Sequence, residues 1–247
     1  FDRSMPEEIN RVLTDAISGY LFTTEKSAER NLLKEGISRD KIYFTGNVMI
    51  DTLIEHERAA KRSDILKRLR LQGKDYAVLT LHRPSNVDKK GTFTGILEAL
   101  HEIQKDATIV WPIHPRTQKM IREFELNDYI LRMPNVRVVS AMGYLDFLKL
   151  VRDAKFVLTD SGGIQEETTV LRVPCLTIRM NTERPVTVKE GSNIIVGQGK
   201  KNIVREARRI ISGKGKKGRT PRLWDGRAAK RIVKILIKEL GKRYGTR

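Results

Sequence analysis

Three short stretches, each closing an apolar run, hold the side chains best suited to chemistry. Thr80-Leu81-His82-Arg83-Pro84-Ser85-Asn86 sets a histidine beside an arginine, and Ile113-His114-Pro115-Arg116-Thr117 places a second histidine near another. Thr159-Asp160-Ser161-Gly162-Gly163 runs through two glycines into Ile164-Gln165-Glu166-Glu167. An imidazole there can serve as general acid or base, or donate to a phosphate, and it can equally be a satisfied structural group. Adjacent glycines let the backbone come close to a ligand, and the amides that open the following helix can hold an oxyanion. The same pair also suits a tight turn between strand and helix. Glu7 and Glu8, directly after Pro6, read either as catalytic carboxylates or as ordinary acids of a first helical turn. His56 and His101 sit in expected helices and are expected at the surface. Two histidines at strand ends distant in sequence, with no carboxylate or thiol at ligand spacing, give no metal site.

These residues need a scaffold that brings strand ends together, and the hydropathy pattern supplies one. Short apolar strands are expected at 20–24, 42–45, 76–81, 108–113, 136–139, 156–159, 174–178 and 193–196. Helices are expected at 6–18, 25–35, from about 48, and at 94–104, 116–124, 145–152, to about 171, near 186, and at 200–212. Near-continuous apolar strands alternating with amphipathic helices predict an α/β fold with a parallel sheet covered on both faces. In such sheets ligands bind at the carboxyl ends of strands, so all three stretches should lie along one rim. Residues 213–222 form a basic, glycine-rich loop. A last amphipathic helix, 227–240, aligns Ala228, Ile232, Ile235, Leu236 and Leu240 on one stripe, and after such a loop it can pack away from the sheet that precedes it.

At 247 residues and 39% hydrophobic the chain can fill a sizeable core. Its formal charge of +18 is concentrated: residues 200–247 carry 18 Lys/Arg against Glu206, Asp225 and Glu239, so the rest is nearly balanced. A tail of this kind can bind nucleic acid or anionic membrane, but only Trp224 and Tyr244 interleave it with aromatics, which favours a solvated surface. Nucleic acid and membrane are therefore not expected partners. Cys175, the only cysteine, excludes an internal disulfide, points to a reducing cytoplasm and reads as a small buried hydrophobe. Abundant Lys, Arg, Glu and Ile resemble hyperthermophile composition. The chain opens on Phe1 with a helix following at once, as a truncated chain would.

Taken together, Met5-Pro6-Glu7-Glu8-Ile9-Asn10-Arg11, Phe44-Thr45-Gly46-Asn47, His82-Arg83-Pro84-Ser85-Asn86, Asp160-Ser161-Gly162-Gly163-Ile164-Gln165-Glu166-Glu167 and Thr182-Glu183-Arg184-Pro185 resemble the non-hydrolysing UDP-N-acetylglucosamine 2-epimerase family, in consistent order over nearly the whole chain. The resemblance implies the glycosyltransferase-B type fold, two Rossmann-like domains. On that pattern residues 1–46 end the N-terminal domain, 47–225 form the UDP-binding C-terminal domain, and 226–247 cross back as a terminal helix. It implies interconversion of UDP-N-acetylglucosamine and UDP-N-acetylmannosamine without cofactor or metal, in a cytoplasmic homodimer that supplies a glycan precursor. Carried over residue by residue, Glu7 and His82 are catalytic. Ser161, Gly162 and Gly163 hold the diphosphate with Arg184, Glu167 accepts from the ribose, and Phe147 lies near the uracil. His114 matches an allosteric site, and Glu166 is left structural. On this reading the two glycines and the two carboxylates serve two subsites of one UDP, phosphate and ribose.

Two departures stand out. The family motif His-Val-Glu-Ala-Gly-Leu-Arg, with a further catalytic glutamate, and an earlier aspartate loop are absent, so the chain alone is expected to be inactive. The family's His-Arg-x-Glu-Asn is His82-Arg83-Pro84-Ser85-Asn86 here, which alters the loop. Two other readings remain open: a UDP-sugar glycosyltransferase of the same fold, and a nucleic-acid-binding protein that uses its tail.

Overall fold

The structure, a computed structural model, describes residues 6–245, with the side chains of residues 6, 7, 243 and 244 outside the description. The chain runs α1 (Pro6–Ile17), β1 (Leu21–Thr23), α2 (Lys26–Lys34), β2 (Ile42–Phe44), α3 (Val48–Ala60), α4 (Ile65–Arg68), β3 (Tyr76–Thr80), α5 (Pro84–Val87) and α6 (Lys90–Ile103). It continues with β4 (Thr108–Pro112), α7 (Pro115–Glu123), α8 (Asn127–Leu131), β5 (Val136–Val139), α9 (Tyr144–Arg152), β6 (Phe156–Thr159) and α10 (Gly162–Leu171). Last come β7 (Cys175–Thr177), α11 (Pro185–Lys189), β8 (Asn193–Ile195), α12 (Lys200–Ile211) and α13 (Ala228–Tyr244). Every expected strand is present, within two residues at each end. The pattern did not foretell α4, α5 or α8, because helices of four or five residues are too short to show a period.

The chain divides into two compact units, one of residues up to Ile54 and from Arg222, the other of Glu55–Pro221. The larger unit holds a six-stranded sheet, all parallel, in the order β5-β4-β3-β6-β7-β8. This is the Rossmann-like arrangement, and the α/β expectation is borne out. Alternation along β3 builds both cores. Ala77, Leu79 and Leu81 face α6 and α12 in one cluster with Trp111 and Phe156, while Tyr76 and Val78 join Leu150, Val151 and Val157 in another. With helices on both faces the inner strands β3, β6 and β7 are buried almost throughout and read as continuous apolar runs, while the edge strand β5 leaves Val138 exposed. Strand order reverses between β3 and β6, and at such a switch point the two outgoing loops part and leave a crevice at the carboxyl ends.

The smaller unit pairs β1 with β2 in parallel around Leu21, Leu32 and Ile42. Within it Trp224 is 2% exposed and its indole N–H donates to Thr24 O at 2.9 Å. Asp51 accepts from the Ala228 and Ala229 amides at 3.0 and 2.8 Å, which caps the start of α13 with a carboxylate where the helix dipole is positive. Gly46 is required here: its φ is +90°, and a Cβ would come within 2.1 Å of Leu223 O.

Candidate active site

The site builds on the pairing of β3 with β6. Thr80 lies opposite Thr159 in register, and their hydroxyls meet at 2.6 Å. Asp160, the next residue after β6, and His82, two residues beyond β3, therefore leave the sheet close together. Asp160 is fully buried. Its Oδ2 accepts from the His82 amide at 2.9 Å, the Arg83 amide at 2.8 Å and Asn86 Nδ2 at 3.1 Å. Its Oδ1 lies 2.9 Å from His82 Nδ1. Burial alone would raise this carboxyl, but the His82 side chain and the two amides outweigh it and hold the group below the usual carboxylate range. Asn86 is also buried and donates to Ile178 O at 2.8 Å, tying the same loop to the end of β7.

β6 then enters α10 through Ser161, the N-cap, whose side chain makes no capping hydrogen bond. The Ser161 amide already donates to Thr159 Oγ1 at 3.0 Å. The expected backbone cradle thus begins at Gly162, and Ser161 has its hydroxyl to offer. Neither glycine is required by the fold: a Cβ on Gly163 would meet nothing within 4 Å, and one on Gly162 only Glu183 Oε2 at 3.9 Å. Their value lies on the open side of the turn, where uncapped amides and the dipole of a ten-residue helix favour an anion.

A cation completes this end. Arg184, the N-cap of the short helix α11, places its Nε 2.6 Å from Oε1 of Glu166. The Glu166 side chain is 4% exposed, so the residue expected to be structural is the anchor of the residue expected to bind phosphate. Thr182 donates to Gln165 Oε1 at 2.6 Å and accepts from the Arg184 amide at 2.9 Å, which fixes the loop before α11 to α10. Arg179 forks onto Glu183 at 2.7 and 2.9 Å, and Arg83 reaches the same carboxylate at 3.5 Å.

Glu167 lies one residue beyond Glu166 and turns away from it, as a helix dictates. Burial pushes its carboxyl up to about 7; a hydrogen bond from the Tyr144 hydroxyl at 3.4 Å opposes the shift and Glu166 adds to it. Tyr144 opens α9, and Phe147 stands three residues later on the same helix, half-buried against the cluster of Leu150 and Val157.

His114 joins the site less fully. Its ring centroid is 5.3 Å from that of His82, so two histidines distant in sequence are neighbours in space. Its Nδ1 accepts from the Arg116 amide at 3.2 Å as the N-cap of α7. Glu7 sits in the first turn of α1, and its side chain falls outside the described residues. His56 and His101 are half-buried rather than on the open surface, each edge-on to a tyrosine, Tyr144 and Tyr129. The sequence reading missed Asp160 as the hub, Asn86, Tyr144 and the Glu166–Arg184 pair. A carboxylate directly after a four-residue apolar strand was the available signal for Asp160. Among the described residues no group of three or more His, Cys, Asp or Glu could hold a metal, and no helix is long and apolar enough to cross a membrane.

With this geometry in place, similarity to known proteins is informative. A family model described as UDP-N-acetylglucosamine 2-epimerase matches residues 1–237. The chain is 43% identical over 241 residues to the UDP-N-acetylglucosamine 2-epimerase of Methanocaldococcus jannaschii, covering 96% of this chain and 65% of that protein. The chain therefore spans less than two thirds of that relative's length. The crystal structure of the M. jannaschii enzyme in complex with UDP-GlcNAc and UDP superposes with a TM-score of 0.86, over 96% of this chain and 66% of that one. The Neisseria meningitidis UDP-GlcNAc 2-epimerase bound to UDP-GlcNAc matches at 30% identity with a TM-score of 0.80, over 94% and 65% of the two chains. The fold is accordingly of the glycosyltransferase-B type. The motifs along the sequence, the parallel sheet with its loaded switch point and these matches agree: the chain belongs to the UDP-N-acetylglucosamine 2-epimerase family.

Proposed function

We propose that this chain is the UDP-binding part of an enzyme that interconverts UDP-N-acetylglucosamine and UDP-N-acetylmannosamine. The observation that carries the reading is the convergence, on one rim of one sheet, of an uncapped glycine turn, an anchored arginine, a carboxylate beside an aromatic, and a carboxylate-held histidine. A nucleotide sugar needs all four. Ser161, Gly162 and Gly163 receive the diphosphate, with Arg184 as counter-charge. Glu167 accepts from the ribose hydroxyls and Phe147 flanks the uracil. His82 stands where it can donate to the departing diphosphate.

In the reaction a base removes the C2 proton as the C1–O bond to UDP breaks, leaving a 2-acetamidoglucal and UDP. A proton then returns to the opposite face of C2 and the UDP oxygen re-adds at C1, so atoms and electrons balance without a cofactor. Glu7 is assigned to the proton-transfer work. The amides and cations around the diphosphate supply the stabilisation of developing charge. We assign residues 1–46 to the N-terminal domain, 47–225 to the UDP-binding domain and 226–247 to a returning helix, in a cytoplasmic homodimer. We assign His114 to an allosteric substrate contact.

Calorimetric titration of the 247-residue chain with UDP tests the binding assignment. Saturable binding abolished by Arg184→Ala supports it, and no heat of binding refutes it. The reaction is tested in the full-length protein with UDP-N-acetylglucosamine in heavy water. Deuterium must appear at C2; transfer of the sugar to an acceptor with C2 unlabelled would identify a glycosyltransferase instead.

A further inference from the structure

We infer that Asp160 is a positioning residue that fixes neutral His82 as the Nδ1–H tautomer, so that the proton the ring takes up goes onto Nε2 and is donated from there to the diphosphate. The inference deepens the reading of His82 given above and rests on it only for the identity of that ligand.

The argument is one of donors and acceptors. An ionised carboxylate only accepts, and Asp160 has its four contacts divided between its two oxygens. Oδ2 takes the His82 amide, the Arg83 amide and Asn86 Nδ2, which fixes the backbone that bears the imidazole. Oδ1, buried and without any other partner among the described residues, lies 2.9 Å from Nδ1 of the ring. A buried carboxylate oxygen with no other partner is satisfied at that distance only by a hydrogen on Nδ1, so neutral His82 holds its lone pair on Nε2. Nε2 has no hydrogen-bond partner among the described residues, while the His82 side chain is 36% exposed. Ring and backbone are held by one buried group, so the imidazole can neither flip nor swing without breaking contacts to Asp160. The other charged or titratable groups near the ring are Arg83, committed to Glu183 at 3.5 Å, and His114, whose Nδ1 is committed to the Arg116 amide. Neither supplies a competing acceptor for Nδ1.

Asp160→Asn gives an inverted outcome. The three donors around Oδ2 require the amide oxygen on their side, so the Asn NH2 faces the ring. Nδ1 must then accept, and the hydrogen moves to Nε2. The test is a long-range 1H–15N correlation spectrum of the labelled 247-residue chain, with His82 assigned by its loss in His82→Gln. The expected wild-type pattern at about pH 8 is Nδ1 protonated and Nε2 bare, above the ordinary titration range of histidine. Asp160→Asn should invert it while the circular dichroism spectrum is unchanged. A wild-type ring protonated on Nε2, or an even mixture, overturns the inference whether or not the variant folds. A folded variant that keeps Nδ1–H overturns it as well. UDP added to the wild-type sample should shift Nε2; a fixed tautomer that UDP leaves untouched refutes the nucleotide reading and leaves the Asp160–His82 assignment standing.

Discussion

Glu167 shows what placement does to a single side chain. Its carboxyl is pushed up to about 7 mainly by burial, yet a diol needs an ionised acceptor. UDP affinity should therefore fall by about tenfold between roughly pH 8 and pH 6, as the ionised fraction drops through a midpoint near 7. Glu167→Gln should bind weakly at both pH values. Calorimetry at the two pH values checks this, and a pH-independent wild-type affinity would remove Glu167 from the site. For folding the sign is opposite to that of Asp160. Glu167 releases its proton in the unfolded chain near its ordinary value and in the native state near 7. Its contribution to stability is thus present below the ordinary value and lost as pH rises to about 7. Asp160, held below its ordinary value, contributes above that value and loses the contribution as pH falls through its depressed one. A third residue separates binding from stability altogether. Gly163→Ala places a methyl in open space at the start of a helix, so melting should be unchanged or raised by up to about 1 kcal/mol. UDP binding should weaken by more than about tenfold, a loss of about 1.4 kcal/mol, because the methyl occupies the close approach.

At the scale of elements, most of this fold was legible. Strand after strand ended where its apolar run ended, because both faces of the sheet are covered and burial overrides weak local preferences. The motif residues were legible for the same reason: they stand where apolar runs stop. Long-range partners were not. Asp160 and His82 are 78 residues apart, and nothing in the local sequence of either says that the other is near. Nor could the basic tail be read from its count of lysines and arginines. In α12 those side chains are answered by acids of α6 and beyond: Lys200 by Glu98 at 3.2 Å and Arg208 by Asp106 at 2.8 Å. The glycine-rich loop also proved specific. A Cβ on Gly218 would lie 2.3 Å from the Gly191 carbonyl carbon, where backbone cannot yield. Gly218→Ala should destabilise by about 1–3 kcal/mol or more, read as a lower urea midpoint with unchanged slope, whereas Gly213→Ser, which meets no neighbour, should cost less and act only through its positive φ.

For the molecule as a whole, each compact unit carries one tryptophan, and this makes the division measurable. Trp111 is fully buried in the larger unit and Trp224 is 2% exposed in the smaller. The smaller unit gathers its sheet around Leu21, Leu32 and Ile42, a far smaller apolar cluster than those behind β3. Single-tryptophan variants Trp111→Phe and Trp224→Phe should give non-coincident urea transitions, with the Trp224 signal lost first. Coincident curves would show that the chain melts as one cooperative body.

The register of β3 on β6 also dictates an order of events. One half of the larger sheet is β5-β4-β3 and the other is β6-β7-β8, and their strands pair with each other only along this seam. The carboxylate that grips His82 and Arg83 comes from the far side of it. Those two amides are consequently sealed from solvent only after both halves have docked. In a refolding chain labelled by pulsed hydrogen exchange they should be among the last to gain protection, so that the chemistry of the site is the final thing the chain acquires.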